Sequence, residues 1–199
     1  NQSQIDNTKA TVEYLNKLKN ESLETSEKFG KLIVQSNGGR MKPLATLNRE
    51  IIQKLSGKAS LFGMTADQLV LGILSKPDVW KDVKMIKIQT PKLKKFLGVD
   101  EQTKYIAFSE VFKNGEYLLA EEAEKALQTK PIERGTYERD IIKVDEKLNI
   151  LYSVFNASLI NIYPRVKDGI DHNDNNKWYS PLEAIQSFTG QNQAAVETI

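Results

Sequence analysis

Few residues of this chain have types and spacings that could do chemistry. His172 is the single histidine, and an imidazole can ligate haem iron or another metal. With no second ligand in view it reads first as an exposed loop residue. Around it, Asp171, Asn173 and Asn175 occupy the first three ligand positions of a calcium loop. The sixth position is Asn176 where glycine is required, and the twelfth is Leu182 where a bidentate glutamate is required, so the loop reads as a solvated turn. Glu121, Glu122 and Glu124 cluster within two helical turns. Acid–base work needs one carboxyl in an apolar pocket, and Lys125 with open solvent makes a solvated face the simpler reading. Cysteine is absent, which excludes thiolate metal sites and cysteine nucleophiles. No Gly-x-Ser-x-Gly elbow accompanies the serines.

Binding chemistry has better candidates. From Phe29 to Leu47 the chain gives a short apolar run, then Ser36-Asn37-Gly38-Gly39, then Arg40-Met41-Lys42-Pro43. The glycines reach positive φ at little cost, so the chain turns there, and Pro43 biases Lys42 toward an extended conformation. Arg40 and Lys42 therefore project from a rigid hairpin. They either hold the fold through carboxylate pairs or receive an anionic ligand. The phosphate-loop spacing is missing after Gly38-Gly39. Trp178 and Tyr179 can pack the polar 167–177 loop onto the body or stack a planar ligand.

The elements that must position these residues follow from periodicity. Asn7-Thr8 can cap a first helix through about Lys19, with Val12, Leu15 and Leu18 inward. Glu21 to Lys28 reads as a polar connection. Leu44, Leu47, Ile51 and Leu55 define a helix after Pro43 that stops at Gly57. Thr65 caps a short helix apolar on most sides, and Lys76-Pro77-Asp78 breaks it. Val83–Ile88 alternates like a strand, and Thr90-Pro91 opens a helical turn with Leu93, Phe96 and Leu97 inward and Lys92, Lys94 and Lys95 outward. Those lysines could contribute to an acidic or propionate-bearing partner site. Tyr105–Phe108 is a further extended run, Ser109 begins a turn that ends at Asn114-Gly115, and Tyr117–Gln128 is helical by propensity. The longest helix should run from about Arg134 to Leu159 along Ile141, Val144, Leu148, Leu151, Phe155 and Leu159. Ile160–Tyr163 can be extended, and a last helix follows Pro181 to about Phe188.

A chain of 199 residues suits one large domain burying about 70% of its unfolded surface. No composition break marks a boundary, so residues 1–199 read as a single domain. The fold class is mainly α, α+β at most: one multi-helix domain with a few short strands or one small β-hairpin. Net charge is +2, from 28 basic and 26 acidic residues, which gives no support to a nucleic-acid partner. No run of 18 apolar residues occurs. The start at Asn1, without methionine and without a signal pattern, reads like a piece cut from a longer chain.

Several stretches taken together resemble a known family. Lys31-Leu-Ile-Val-Gln-Ser-Asn-Gly-Gly-Arg-Met-Lys-Pro-Leu44, Leu69-Val-Leu-Gly-Ile-Leu74, Pro77-Asp-Val-Trp80 and Met85-Ile-Lys-Ile88 are similar to the extracytoplasmic segment of System II cytochrome c biogenesis proteins. Within that family the likeness is to the fused CcsB–CcsA (ResB–ResC) form of Bacteroidetes-type bacteria. Arg139-Asp-Ile-Ile-Lys-Val-Asp-Glu-Lys-Leu-Asn149 and Asn176-Lys-Trp-Tyr-Ser-Pro181 extend the match, giving a family-like core over residues 28–185. The resemblance implies a domain on the periplasmic side of the inner membrane, tethered by membrane helices of the same polypeptide. It implies apocytochrome c as partner, and haem handled by the full-length protein with no cofactor in this domain. The family's haem-handling membrane histidines and Trp-rich segment have no counterpart here, so no catalytic residue carries over. The expected function is that of an accessory binding domain of a cytochrome c synthase. The alternatives are direct haem binding through His172, an unrelated helical binding module, or a stand-alone hydrolase.

Overall fold

The structure is a computed structural model that describes residues 2–36, 39–113, 115–163 and 178–186. The described part is mainly helical with short antiparallel strand pairs. Its order is α1 (Gln2–Glu21), α2 (Leu23–Gly30), β1 (Ile33–Gln35), β2 (Met41–Pro43), α3 (Leu44–Ser56), α4 (Ala66–Ser75) and α5 (Pro77–Trp80). There follow β3 (Ile86–Lys87), α6 (Pro91–Phe96), β4 (Tyr105–Ile106), a 3-10 turn at Ser109–Val111, β5 (Phe112–Lys113), β6 (Glu116–Tyr117), α7 (Ala120–Gln128) and α8 (Thr136–Phe155). Residues 181–186 are helical. β1 pairs with β2, β3 with β4 and β5 with β6, all antiparallel. The few short strands expected from the sequence are present, as three antiparallel pairs among the described residues.

The core is built around α4 and α8. Leu69, Val70 and Ile73 of α4 are fully buried, each such side chain contributing roughly 1.5–3 kcal/mol over exposure. Thr65 and Gln68 form the capping box that starts this helix. The Gln68 amide then donates to the Lys19 carbonyl at 3.0 Å and to Ser22 Oγ at 3.2 Å, fixing the start of α4 against the end of α1. Of the stripe, Ile141, Val144, Leu148 and Leu151 of α8 are buried, Phe155 and Leu159 are only partly buried, and Val154 beside it is fully buried. One cluster of buried side chains joins both helices to Leu44, Ile51, Ile52 and Leu55 of α3. Gly57 ends α3 at φ +74, a conformation that suits glycine.

Several elements depart from the pattern reading. The polar stretch after Glu21 is not a linker but α2, whose inner face is made by Ser26 and Gly30. Small residues let the backbone approach closely without leaving an apolar stripe, so periodicity does not show the helix. On α1 the inward positions are Tyr14, Leu15 and Leu18, while Val12 is exposed. Phe96 is likewise exposed, leaving Leu93 as the fully buried anchor of α6. α1 equals α8 in length at 20 residues, and α8 is shorter at both ends than its apolar positions suggest. Tyr117 belongs to β6 rather than to α7, because it pairs with Phe112 across the turn.

Candidate functional site

Four candidate residues from widely separated stretches meet around β1. On one side β1 pairs with β2, with Val34 opposite Lys42. The Ser36 N–H donates to the Arg40 carbonyl at 2.8 Å, and the Leu44 N–H donates to the Leu32 carbonyl at 2.7 Å, so the hairpin closes directly into α3. On its other side the Gln35 N–H donates to the Asn161 carbonyl at 2.9 Å. Tyr163 and Tyr179 then exchange backbone bonds at 3.1 and 2.8 Å. The chain after α8 thus extends the hairpin into a small irregular sheet carrying Arg40, Lys42, Trp178 and Tyr179.

The joint of this assembly is Gln35. It is 6% exposed, and its side-chain oxygen accepts the Trp178 N–H at 2.7 Å. Just beyond, the Ser180 N–H donates to Glu183 and the Glu183 N–H to Ser180 Oγ, a capping box that starts the helical residues 181–186. Val34 turns into the core, whereas Ile33, Met41 and Tyr163 are each nearly half exposed. The outer face therefore presents apolar surface beside the exposed Arg40. Such a face suits contact with another chain rather than bond-making.

The two cations of the hairpin have separate fates. Lys42 pairs with Glu50 at 2.5 Å, its side chain 20% exposed, and ties β2 to the second turn of α3. Arg40 is exposed, and its guanidinium enters no ion pair among the described residues. Trp178 docks through its backbone, and neither its ring nor that of Tyr179 stacks on another ring or takes a cation among the described residues. His172 and the Asp171 calcium-like pattern lie outside the described residues.

The acidic cluster is not arranged as an acid–base pair. Glu122 accepts from the Tyr137 hydroxyl at 2.9 Å and from Lys125 at 3.1 Å. Those bonds, Tyr137 first, hold its carboxyl below the usual range, the opposite of what a general acid needs. Lys92 covers the Tyr137 ring at 3.8 Å, and Lys94 donates to the Glu101 carbonyl at 2.6 Å. An open groove of about 430 Å³ between α1, α2 and α4 is lined by Tyr14, Leu18, Glu21, Thr25, Leu71 and Lys76. The Lys76 ammonium sits 4.8 Å over the Tyr14 ring, and Glu21 meets Lys17 on the exposed rim at 4.0 Å.

Sequence reasoning missed Gln35 as the joint and Tyr163 as the partner of Tyr179. An amide inside a short apolar strand was the available signal, because a buried polar side chain must find partners. It also missed Asp140, buried on α8. One carboxylate oxygen of Asp140 accepts from the N–H of Gln89 at 3.1 Å, the N–H of Thr90 at 2.7 Å and Thr90 Oγ1 at 2.8 Å. That arrangement holds the entry to α6.

Fold and site define a mainly helical module whose clustered residues join segments and present a surface, with no group of three or more potential metal ligands among the described residues. No described helix is long and apolar enough to cross a membrane. The chain is 43% identical over 179 residues to Protein NrfI of Wolinella succinogenes, a match covering 89% of this chain and 19% of that protein. It therefore spans about a fifth of the length of this curated relative. No family model matches the chain.

Proposed function

We propose that this chain is an accessory binding domain of a System II cytochrome c maturation protein of the fused CcsB–CcsA type, working on the periplasmic side of the inner membrane. The observation that carries the reading is the 43% identity to NrfI across 89% of the chain, which supports a role in cytochrome c maturation. The NrfI match leaves most of that relative's length outside this chain. This suits a module that serves chemistry performed elsewhere in a longer polypeptide. In this reading the domain engages apocytochrome c or braces the membrane helices of the same polypeptide, and haem is handled by the rest of the protein.

The described side chains fit a binding role. Their buried polar groups, Gln35 and Asp140 above all, are spent on holding segments together, and the β1–β2 face is left apolar and open. The test is an in-frame replacement of residues 28–185 in the polypeptide that carries them, with covalently bound haem measured by peroxidase staining of cytochromes c. Loss of c-type haem with total haem unchanged is the expected result. Undiminished attachment would overturn the reading.

A further inference from the structure

The chain is nearly neutral overall, at +2, yet its cations are unevenly placed. The end of α3, β3 with its partner β4, and one face of α8 bring together Lys54, Lys58, Lys87, Lys143 and Lys147. The Lys147 ammonium donates to the Lys87 carbonyl at 2.6 Å. The Lys87 ammonium lies 3.5 Å from where a side chain at Gly57 would begin. Lys58 sits 5.8 Å over the ring of Tyr105, the residue directly opposite Lys87 in the β3–β4 register. On α8, Arg139, Lys143 and Lys147 follow at i, i+4 spacing, where like charges repel.

Nearby anions balance this group only in part. Glu146 pairs with Lys54 at 2.8 Å. Asp140 turns inward to Thr90, and Asp145 accepts from Tyr117 on another side of α8. Among the described residues, Lys58, Lys87, Arg139, Lys143 and Lys147 form no ion pair. Burial first, and then the charges of Lys87, Lys143 and Lys54, hold Lys147 below the ordinary lysine range, while the Asp140 carboxylate acts against them. Lys58, Lys87, Arg139 and Lys143, gathered on neighbouring core elements without an ion-pair partner among the described residues, are a standing repulsion that an anionic partner would relieve.

We propose that this lysine face is a docking surface for a carboxylate-rich protein segment. Its ammonium groups stand on separate, core-anchored elements, a fixed spacing that suits carboxylates presented along a chain. A membrane surface fits less well. None of the exposed large hydrophobic residues belongs to α3, β3, β4 or residues 139–147, so nothing here would insert beside lipid headgroups. The same lack of exposed aromatic rings counts against single-stranded nucleic acid. The proposal stands on this charge arrangement and does not depend on a role in cytochrome maturation.

The test is titration of the 199-residue chain with a fluorescent oligoglutamate peptide at low salt, beside inorganic phosphate and phosphatidylserine vesicles. Two variants of equal net charge separate the site from the overall field: K58E/K143E on the face, and K9E/K31E on exposed positions at α1 and the end of α2. The face variant should weaken peptide binding about tenfold or more, and the control variant less than about twofold. Binding should also fall as salt rises. Circular dichroism melts, expected unchanged because the substituted lysines are exposed, confirm that both variants fold. Absence of peptide binding, equal loss in the two variants, or tighter binding to phosphate or vesicles would overturn the proposal.

Discussion

The side-chain oxygen of Gln35 accepts the backbone N–H of Trp178 at 2.7 Å, across 143 positions of sequence. A strand near the start of the chain thereby captures the segment that returns after α8. Replacing Gln35 by alanine leaves that N–H without its acceptor and opens a gap beside Val34. An unsatisfied buried donor costs about 1–3 kcal/mol. The Q35A chain should show a lower urea midpoint, and faster amide exchange at Trp178 and Tyr179 than in the rest of the core. Unchanged exchange at those two amides would show that Gln35 is not the joint.

Gly72 makes the contact between α1, α4 and α5 possible. A methyl group there would collide with Leu18 and stand 3.0 Å from the Trp80 ring. Trp80 is fully buried, so the ring has little room to move. Gly72→Ala should therefore destabilise by about 1–3 kcal/mol despite alanine's better helix propensity. Gly98 gives the comparison: φ is +69 but no atom lies within 4 Å of an added side chain, so alanine there should cost only the backbone strain of about 1 kcal/mol. Equilibrium unfolding of the two variants checks the ranking.

The fold was legible wherever an apolar stripe or a punctuating residue carried the information. Thr65, Gly57 and Pro43 mark their boundaries correctly because caps, positive φ and a missing N–H are local physics. α2 was not legible, since Ser26 and Gly30 pack by being small. At the site, the sequence showed Arg40, Lys42, Trp178 and Tyr179 as separate features. Their meeting depends on Gln35 and Asn161, a pairing that no local pattern encodes. The lysine face was equally hidden, because its members come from α3, β3 and α8 and converge only in the folded chain.

Alkaline behaviour should report the bond between Tyr137 and Glu122. Burial first, and the Glu122 hydrogen bond second, push the Tyr137 hydroxyl from 10.0 up to about 12. The folded chain keeps this proton where the unfolded chain has lost it. The contribution is full below about pH 10 and is lost as pH rises through about 12. Tyr117 is displaced upward too, by burial and then by its bond to Asp145, and adds to the loss. Lys147 acts in the opposite sense, because its folded value is lowered and its penalty recedes as pH rises toward the unfolded lysine value. In Y137F the decline of stability across pH 10–12 should be shallower, and one late-titrating tyrosinate should vanish from the ultraviolet titration. An unaltered profile would contradict the assignment.

Engagement of apocytochrome c, the first of the two proposed roles, is tested most directly by nuclear magnetic resonance titration of the labelled chain with a Cys-x-x-Cys-His peptide. Saturable shifts are expected, with a dissociation constant below about 1 mM, centred on the β1–β2 hairpin and residues 178–180. Absence of shifts up to that concentration would contradict that role.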